Sequence, residues 1–308
     1  VDIRPGMHTQ HKYDAVPWLQ VDKENSLSRA YRPYDLVVHC AYHVGGRAMI
    51  DGVPDVLSAN VELDAALFRW ALVTRPAQIL YFSSSAVYPT KIQEQYFPYL
   101  HGQTDRRIAE ETVSTDNSIN WFGTPDGRYG WAKLNGEMLV KAARESHLSV
   151  SVVRPFSGYG GDQSLDYPFP SIIQRARTGN LTVWGPEGQT RDWIHISDVV
   201  QGALAVVESG TTDPVNLCTG VATSMGKLAQ MIYSRSRDNT ALELLGHIAY
   251  TGELGMDVTY LTDRPTGVFY RVGNPTRMQE YYTAQVTIAE GIDRTLNKNK
   301  YYHKNKYC

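Results

Sequence analysis

The chain has 308 residues, 42% of them hydrophobic and 20% charged, with a formal net charge of −2. That length holds one large or two modest domains, and so small a net charge speaks against nucleic acid or a membrane surface as partner. No apolar run approaches the roughly 20 residues of a spanning helix, and Cys40, Cys218 and Cys308 form neither a disulfide framework nor a zinc pattern; with no signal peptide in view, a cytoplasmic setting is expected.

Leu19-Gln20-Val21-Asp22 reads as a short strand, and Asp22 could equally cap a helix over 25–30. Asp35 to Ala41 is a Val-rich run of the kind that buried strands carry. It opens into Tyr42-His43-Val44-Gly45-Gly46-Arg47, whose small residues let backbone approach a ligand closely. His39 and His43 lack carboxylates at ligand spacing, so no metal site is expected. An amphipathic helix is predicted over 55–73, with Val56, Leu57, Val61, Leu63, Leu67, Ala71 and Leu72 on its apolar side. Gln78 to Phe82 is rich in strand formers and ends in Ser83-Ser84-Ser85-Ala86-Val87-Tyr88-Pro89. A strand opening into small hydroxyl residues suits the carboxyl end of a parallel sheet, where ligands bind. The polar stretch 90–127, with a helix predicted over 105–112, is long enough to be functional.

Tyr129 and Lys133 form a Tyr-x-x-x-Lys at the start of a helix-forming run over 132–143. Residues four apart share a helix face, and an ammonium beside a phenol favours the phenolate. Such a phenol can take a proton from a sugar hydroxyl while a hydride leaves the same carbon. Alone, the pair reads equally well as a surface contact worth roughly a few tenths of a kcal/mol. Further on come a strand over 148–154 leading into Arg154-Pro155-Phe156-Ser157-Gly158-Tyr159, a helix over 171–178, and a strand over 181–185 that holds Trp184. Then follow Gln189-Thr190-Arg191-Asp192-Trp193-Ile194-His195-Ile196-Ser197-Asp198, a helix over 199–207, the turn at Asn216, a helix from Ser224, the loop Asp263-Arg264-Pro265-Thr266-Gly267 and a helix over 287–296. The Lys-rich tail reads as a frayed end.

The serine-ended strand followed some forty residues later by Tyr129-x-x-x-Lys133 is much more specific than either piece. With the Arg154, Arg191 and Arg264 stretches it makes the chain resemble the extended short-chain dehydrogenase/reductase family, and within it the NAD-dependent nucleotide-sugar epimerases and dehydratases. The resemblance implies an α/β fold: a Rossmann-type doubly wound parallel sheet with a smaller α+β substrate domain. Residues 1–156 would hold NAD and 157–308 the nucleotide sugar, with about 190–208 rejoining the first part. A dinucleotide fold should open with a strand and a Gly-rich turn. None is found near the start, so Val1-Asp2 reads as the end of a second strand. The chain is then a fragment without its first β–α unit, and weak NAD binding is expected of it.

By the same likeness Ser84 holds the substrate hydroxyl, Tyr129 is the acid/base, and Lys133 binds the nicotinamide ribose and tunes Tyr129. Asp2 would meet the adenosine ribose and favour NAD over NADP, with Asp22 near the adenine. Cys40, Ala41 and Tyr42 would pass along the cofactor, and Asn60 would stand close to it. Ser85, Ser157 (in place of the usual Asn), Trp184, Arg191 and Arg264 are the implied substrate contacts, the two arginines on the diphosphate. Asp192, His195 and Asp198 read as structural. The helix over 55–73 and the one carrying Tyr129 imply a homodimer through a four-helix interface. A 4,6-dehydratase carries Asp-Glu where Ser85 and Ala86 stand, and a GDP-sugar 3,5-epimerase carries Cys at Ala86. What needs no extra base is 4-epimerisation through a 4-keto sugar. A 4-dehydrogenase or ketoreductase is the alternative. A non-catalytic NAD- or nucleotide-sugar-binding regulator is the other class, against which the intact Ser84, Tyr129 and Lys133 speak. The Val-Gly-Gly run leans toward GDP sugars.

Overall fold

Four short apolar runs line up side by side as one parallel sheet in the computed structural model, which describes residues 34–47, 55–96, 105–113, 123–236 and 257–296. They are β1 (Leu36–His39), β2 (Gln78–Phe82), β3 (Val150–Pro155) and β7 (Val215–Leu217), in the order β1-β2-β3-β7. Alternate side chains of a strand face opposite ways. From β2, Ile79 and Tyr81 therefore meet α1 (Val56–Thr74) and α2 (Gly127–Glu145), which bury Leu67, Phe68, Ala71, Val140 and Ala143 there. Leu80 faces α4 (Ile196–Ser209), which buries Val199, Ala203 and Val206 against Val153, Val215 and Leu217. Each such Val, Leu or Phe contributes roughly 1.5–3 kcal/mol when fully buried. Helices on both faces make this a doubly wound sheet, as expected. Burial on both sides is why its strands lack polar alternation.

The rest of the described chain builds a second core. β6 (Thr190–His195) pairs with β4 (Ser157–Tyr159), β10 (Tyr270–Arg271) and, antiparallel, β8 (Ala222–Ser224), while β5 (Thr182–Trp184) pairs with β9 (Thr259–Leu261). α3 (Pro168–Ala176), α5 (Met225–Ser236) and α7 (Ile288–Leu296) close over Tyr159, Phe169, Ile172, Trp193, Leu228, Ile232 and Ile292. α6 (Thr276–Gln279) is a single turn whose Met278 packs below β7. β6 runs into α4 without a loop: His195 caps the helix, its ring accepting from the Ser197 amide. Gly210 ends it in the left-handed region that glycine tolerates.

Three expectations shift. The helix predicted over 132–143 starts earlier, at Gly127, so Tyr129 lies in its first turn. The helix predicted over 171–178 starts at Pro168, because proline fits a first helical turn. Residues 105–109 are not helical. Asp105 accepts from the Arg107 amide, Ile108 bridges Gly273, and only Glu110–Thr112 form a 3-10 turn. Asp2, Asp22, the segment 25–30 and Cys308 lie outside the described residues. Among the described residues no helix is long and apolar enough to cross a membrane.

A buried polar network ties the layers together. Arg154 on β3 is 1% exposed and grips Glu137 of α2 at both oxygens, Nε to Oε1 at 2.8 Å and Nη2 to Oε2 at 2.6 Å. Its Nη1 donates to the Tyr88 hydroxyl and the Glu110 carbonyl, both at 3.1 Å. Ser83 also donates to Glu137, Tyr88 donates to Asn216 on β7, and the Asn216 amide donates to Glu110. Every strong acceptor at this junction is thereby satisfied, which low-dielectric surroundings require.

Candidate active site

A cavity of about 620 Å³ lies at the carboxyl ends of β1, β2 and β3. One wall holds Cys40, Tyr42, Ser84, Ser85, Tyr129 and Lys133; the other holds Ser157, Phe169, Trp184 and Arg191. Ser84 turns out of β2 in extended backbone, and its Oγ accepts from the Ala86 amide at 3.1 Å. The first turn of α2 then brings Tyr129 to it. Burial pushes the Tyr129 phenol up, with Tyr167 adding to the rise, while a hydrogen bond with Ser84 pulls it down. Lys133 is 3% exposed and donates from Nζ to the Phe82 carbonyl at 2.6 Å. That nitrogen lies 3.2 Å from the Tyr42 ring centroid and 5.8 Å from that of Tyr129.

The expected lowering of Tyr129 by Lys133 is thus corrected: burial dominates, and the ammonium sits against Tyr42 instead. Burial also pulls Lys133 itself down to about 7, with Asp64 opposing it. Ala41 and Asn60 are not among the residues that line the cavity. Asn60 is fully buried and holds the backbone of His43 through two bonds, 2.7 and 3.0 Å. His39 is likewise a satisfied buried residue, paired with Asp64 at 2.8 Å. Among the described residues no group of three or more His, Cys, Asp or Glu could hold a metal ion.

Arginines line the same cavity. Arg191 on β6 lines the cavity, and its register partner on β10 is Arg271. Arg271 donates to Asp126 at 2.8 Å and to Gln93 at 2.6 Å, and Arg47 takes the other Asp126 oxygen at 2.7 Å. Burial pushes the Asp126 carboxyl up, but Arg271 and Arg47 outweigh it and hold it at about 2. Arg191 makes no ion pair among the described residues and donates only to the Thr190 and Phe269 carbonyls. Burial and then the neighbouring Arg271 charge pull it down to about 9. Arg191 therefore has a like charge beside it, while the nearby Asp126 carboxylate is bonded to Arg271 and Arg47. Arg264, expected to share this task, is exposed on the rim with its guanidinium 5.8 Å from the Trp184 ring. Arg47 and Arg271 also line the cavity, and sequence reasoning missed them. Only the strand pairing that sets Arg271 beside Arg191 reveals it.

Asp192 is structural, accepting from the Thr219, Gly220 and Gly273 amides. Asp198 accepts from Tyr282 and from the Gln285 and Val286 amides.

The sequence profile of the NAD dependent epimerase/dehydratase family matches residues 6–218. The chain belongs to that family. Within the NAD dependent epimerase/dehydratase family it is 25% identical over 205 residues to a dTDP-4-dehydro-6-deoxy-D-allose reductase of Streptomyces, 64% of this chain and 58% of that one. It is 26% identical over 209 residues to a GDP-mannose 3,5-epimerase of Oryza sativa, 65% of this chain and 51% of that one. The chain thus matches little more than half the length of these relatives. The solved UDP-glucuronic acid 4-epimerase of Bacillus cereus shares the fold with a TM-score of 0.64, at 21% identity, over 87% of this chain and 76% of that one.

Proposed function

We propose that this protein is an NAD-dependent nucleotide-sugar epimerase that inverts C4 of the sugar through a transient 4-keto intermediate. The observation that carries the reading is the pairing, across one cavity, of a Ser84–Tyr129–Lys133 wall with an arginine wall. The described residues fit the nicotinamide end of NAD: an ammonium and a phenol side by side, next to the largely apolar Pro155 and Phe156. When bound, NAD supplies the hydride acceptor and a positive charge. Tyr129 needs such a charge, because burial alone keeps the proton on the phenol. Ser84 orients the sugar hydroxyl and Tyr129 takes its proton, then returns it to the same C4 oxygen once the turned sugar presents the other face of its ketone carbon to the nicotinamide. The cavity falls within the ~300–1,000 Å³ of small-molecule sites, which supports a sugar turning while its diphosphate stays on Arg191 and Arg271.

The test is proton NMR of the products after incubation with NAD and, in turn, UDP-glucose, UDP-glucuronic acid and GDP-mannose. A 4-epimer is expected from one of them. A dehydrated 6-deoxy product, or no product from any, would overturn the assignment. Likeness to the Streptomyces reductases supports a 4-ketoreductase as second reading. In either case Arg271→Met is expected to weaken inorganic pyrophosphate about tenfold or more, since a hydrogen bond to a charged group contributes ~1.5–3 kcal/mol. Calorimetric titration checks this. The exposed Leu72, Val73 and Met138 on α1 and α2 support the homodimer, and the separate second core supports a substrate domain beginning near residue 157.

A further inference from the structure

The carboxylate of Asp64 takes no part in the chemistry above, yet it organises the residues that do. Asn60 and Asp64 lie four apart on one face of α1, both fully buried. Asn60 clamps the backbone of His43, while Asp64 accepts from the Tyr42 hydroxyl at 3.2 Å and the Tyr81 hydroxyl at 2.8 Å, and pairs with His39. The irregular stretch after β1 is thus tied to α1 at two neighbouring residues, once by backbone and once by side chain. α2 makes room for the array: a Cβ on Gly136 would overlap the Tyr81 hydroxyl and the Asp64 carboxylate. The outcome is a fixed Tyr42 ring. Its face meets the Lys133 ammonium at 3.2 Å, and the ring stands at 89° to that of Tyr129 with centroids 5.8 Å apart. Both are favourable aromatic geometries.

We propose that Tyr42, tethered by Asp64, is a positioning residue for the Tyr129 and Lys133 pair. This rests on the reading that those two carry the proton transfer. In its protonated form Lys133 has three N–H donors. One goes to the Phe82 carbonyl and one to the Tyr42 face, so the third is left for the cavity. Contact with the Tyr42 ring also sets the plane of Tyr129. Asp64 compensates the ammonium charge from beyond the ring, without taking that last donor.

The experiment is NMR of the full chain with 13C-labelled lysine, the Lys133 ε-methylene being assigned by its loss in Lys133→Arg. In the wild type this signal is expected upfield of the other lysines, shielded by the ring face. It should stay there in Tyr81→Phe, which leaves the bond from Tyr42 to Asp64 in place, move part-way in Tyr42→Phe, which keeps the ring but loses that bond, and move to the common lysine position in Tyr42→Leu. A wild-type signal already at the common position, or one unmoved in Tyr42→Leu, overturns the proposal. If Tyr42→Leu fails to fold, Tyr42→Phe decides, a signal unmoved there overturning the proposal. With the sugar nucleotide that gives turnover, Tyr42→Leu should lower kcat about 10²-fold with KM held, as expected for a misplaced reacting group, and Tyr42→Phe, with the ring but not the tether, should restore only part of it. The spectra need no turnover, so failure of the epimerase reading and failure of this inference are distinguishable.

Discussion

Tyr129→Phe is expected to lower reduction of NAD by the sugar nucleotide by about 10²–10⁴-fold, the usual contribution of a positioned acid/base. The ring remains, so its edge contact with Tyr42 survives and only the hydroxyl shared with Ser84 is lost. Thermal melting should therefore change little while turnover collapses. Ser84 cannot replace the phenol, because its oxygen is already engaged with the Ala86 amide and a serine hydroxyl is a far weaker acid. The measurement is reduced-nicotinamide absorbance after mixing, wild type against variant. Wild-type turnover in the variant would remove Tyr129 from the mechanism.

Arg154→Met is expected to be the most damaging single change to stability. It leaves the Glu137 carboxylate, 4% exposed, without its cation, and strips donors from Tyr88 and the Glu110 carbonyl. Breaking a buried pair at one partner destabilises by ~3–5 kcal/mol, a large share of the ~5–15 kcal/mol that holds a typical protein folded. Adding Glu137→Leu should recover part of that loss, since removing both charges also removes the unpaired one. Urea titration reads both: the midpoint should fall in the single variant and rise again in the double, at similar slope. A single variant within about 1 kcal/mol of the wild type would show that the network contributes little.

The framework was legible because its signals are local. Val-rich strands, an amphipathic α1 and the Tyr129-x-x-x-Lys133 spacing each follow from a few adjacent residues, and the serines after β2 pointed to the correct end of the sheet. What stayed hidden depends on residues distant in sequence. Arg154 and Glu137 meet because β3 passes beneath α2, and nothing near either residue in the chain announces it. Arg271 reaches the cavity through pairing with β6, whereas Arg264, set in the more suggestive loop, stays on the rim. The helix expected over 105–112 fails for a related reason: Ile108 gives its backbone groups to residues 272 and 274 rather than to a helical turn. Tyr129 also departs from local logic, because spacing places Lys133 on its face of the helix but cannot foresee a second tyrosine that takes the amine on its own ring face.

Asp126 joins two tasks that are usually separate. Its carboxylate is the latch that keeps Arg47 and Arg271 folded back, and its amide and carbonyl tie the root of α2 to Ala86 and Gly130. On the proposed reading, a diphosphate at Arg271 meets a guanidinium already bonded to the carboxylate three residues ahead of Tyr129. In that reading the grip on the handle and the root of the blade hang from one carboxylate.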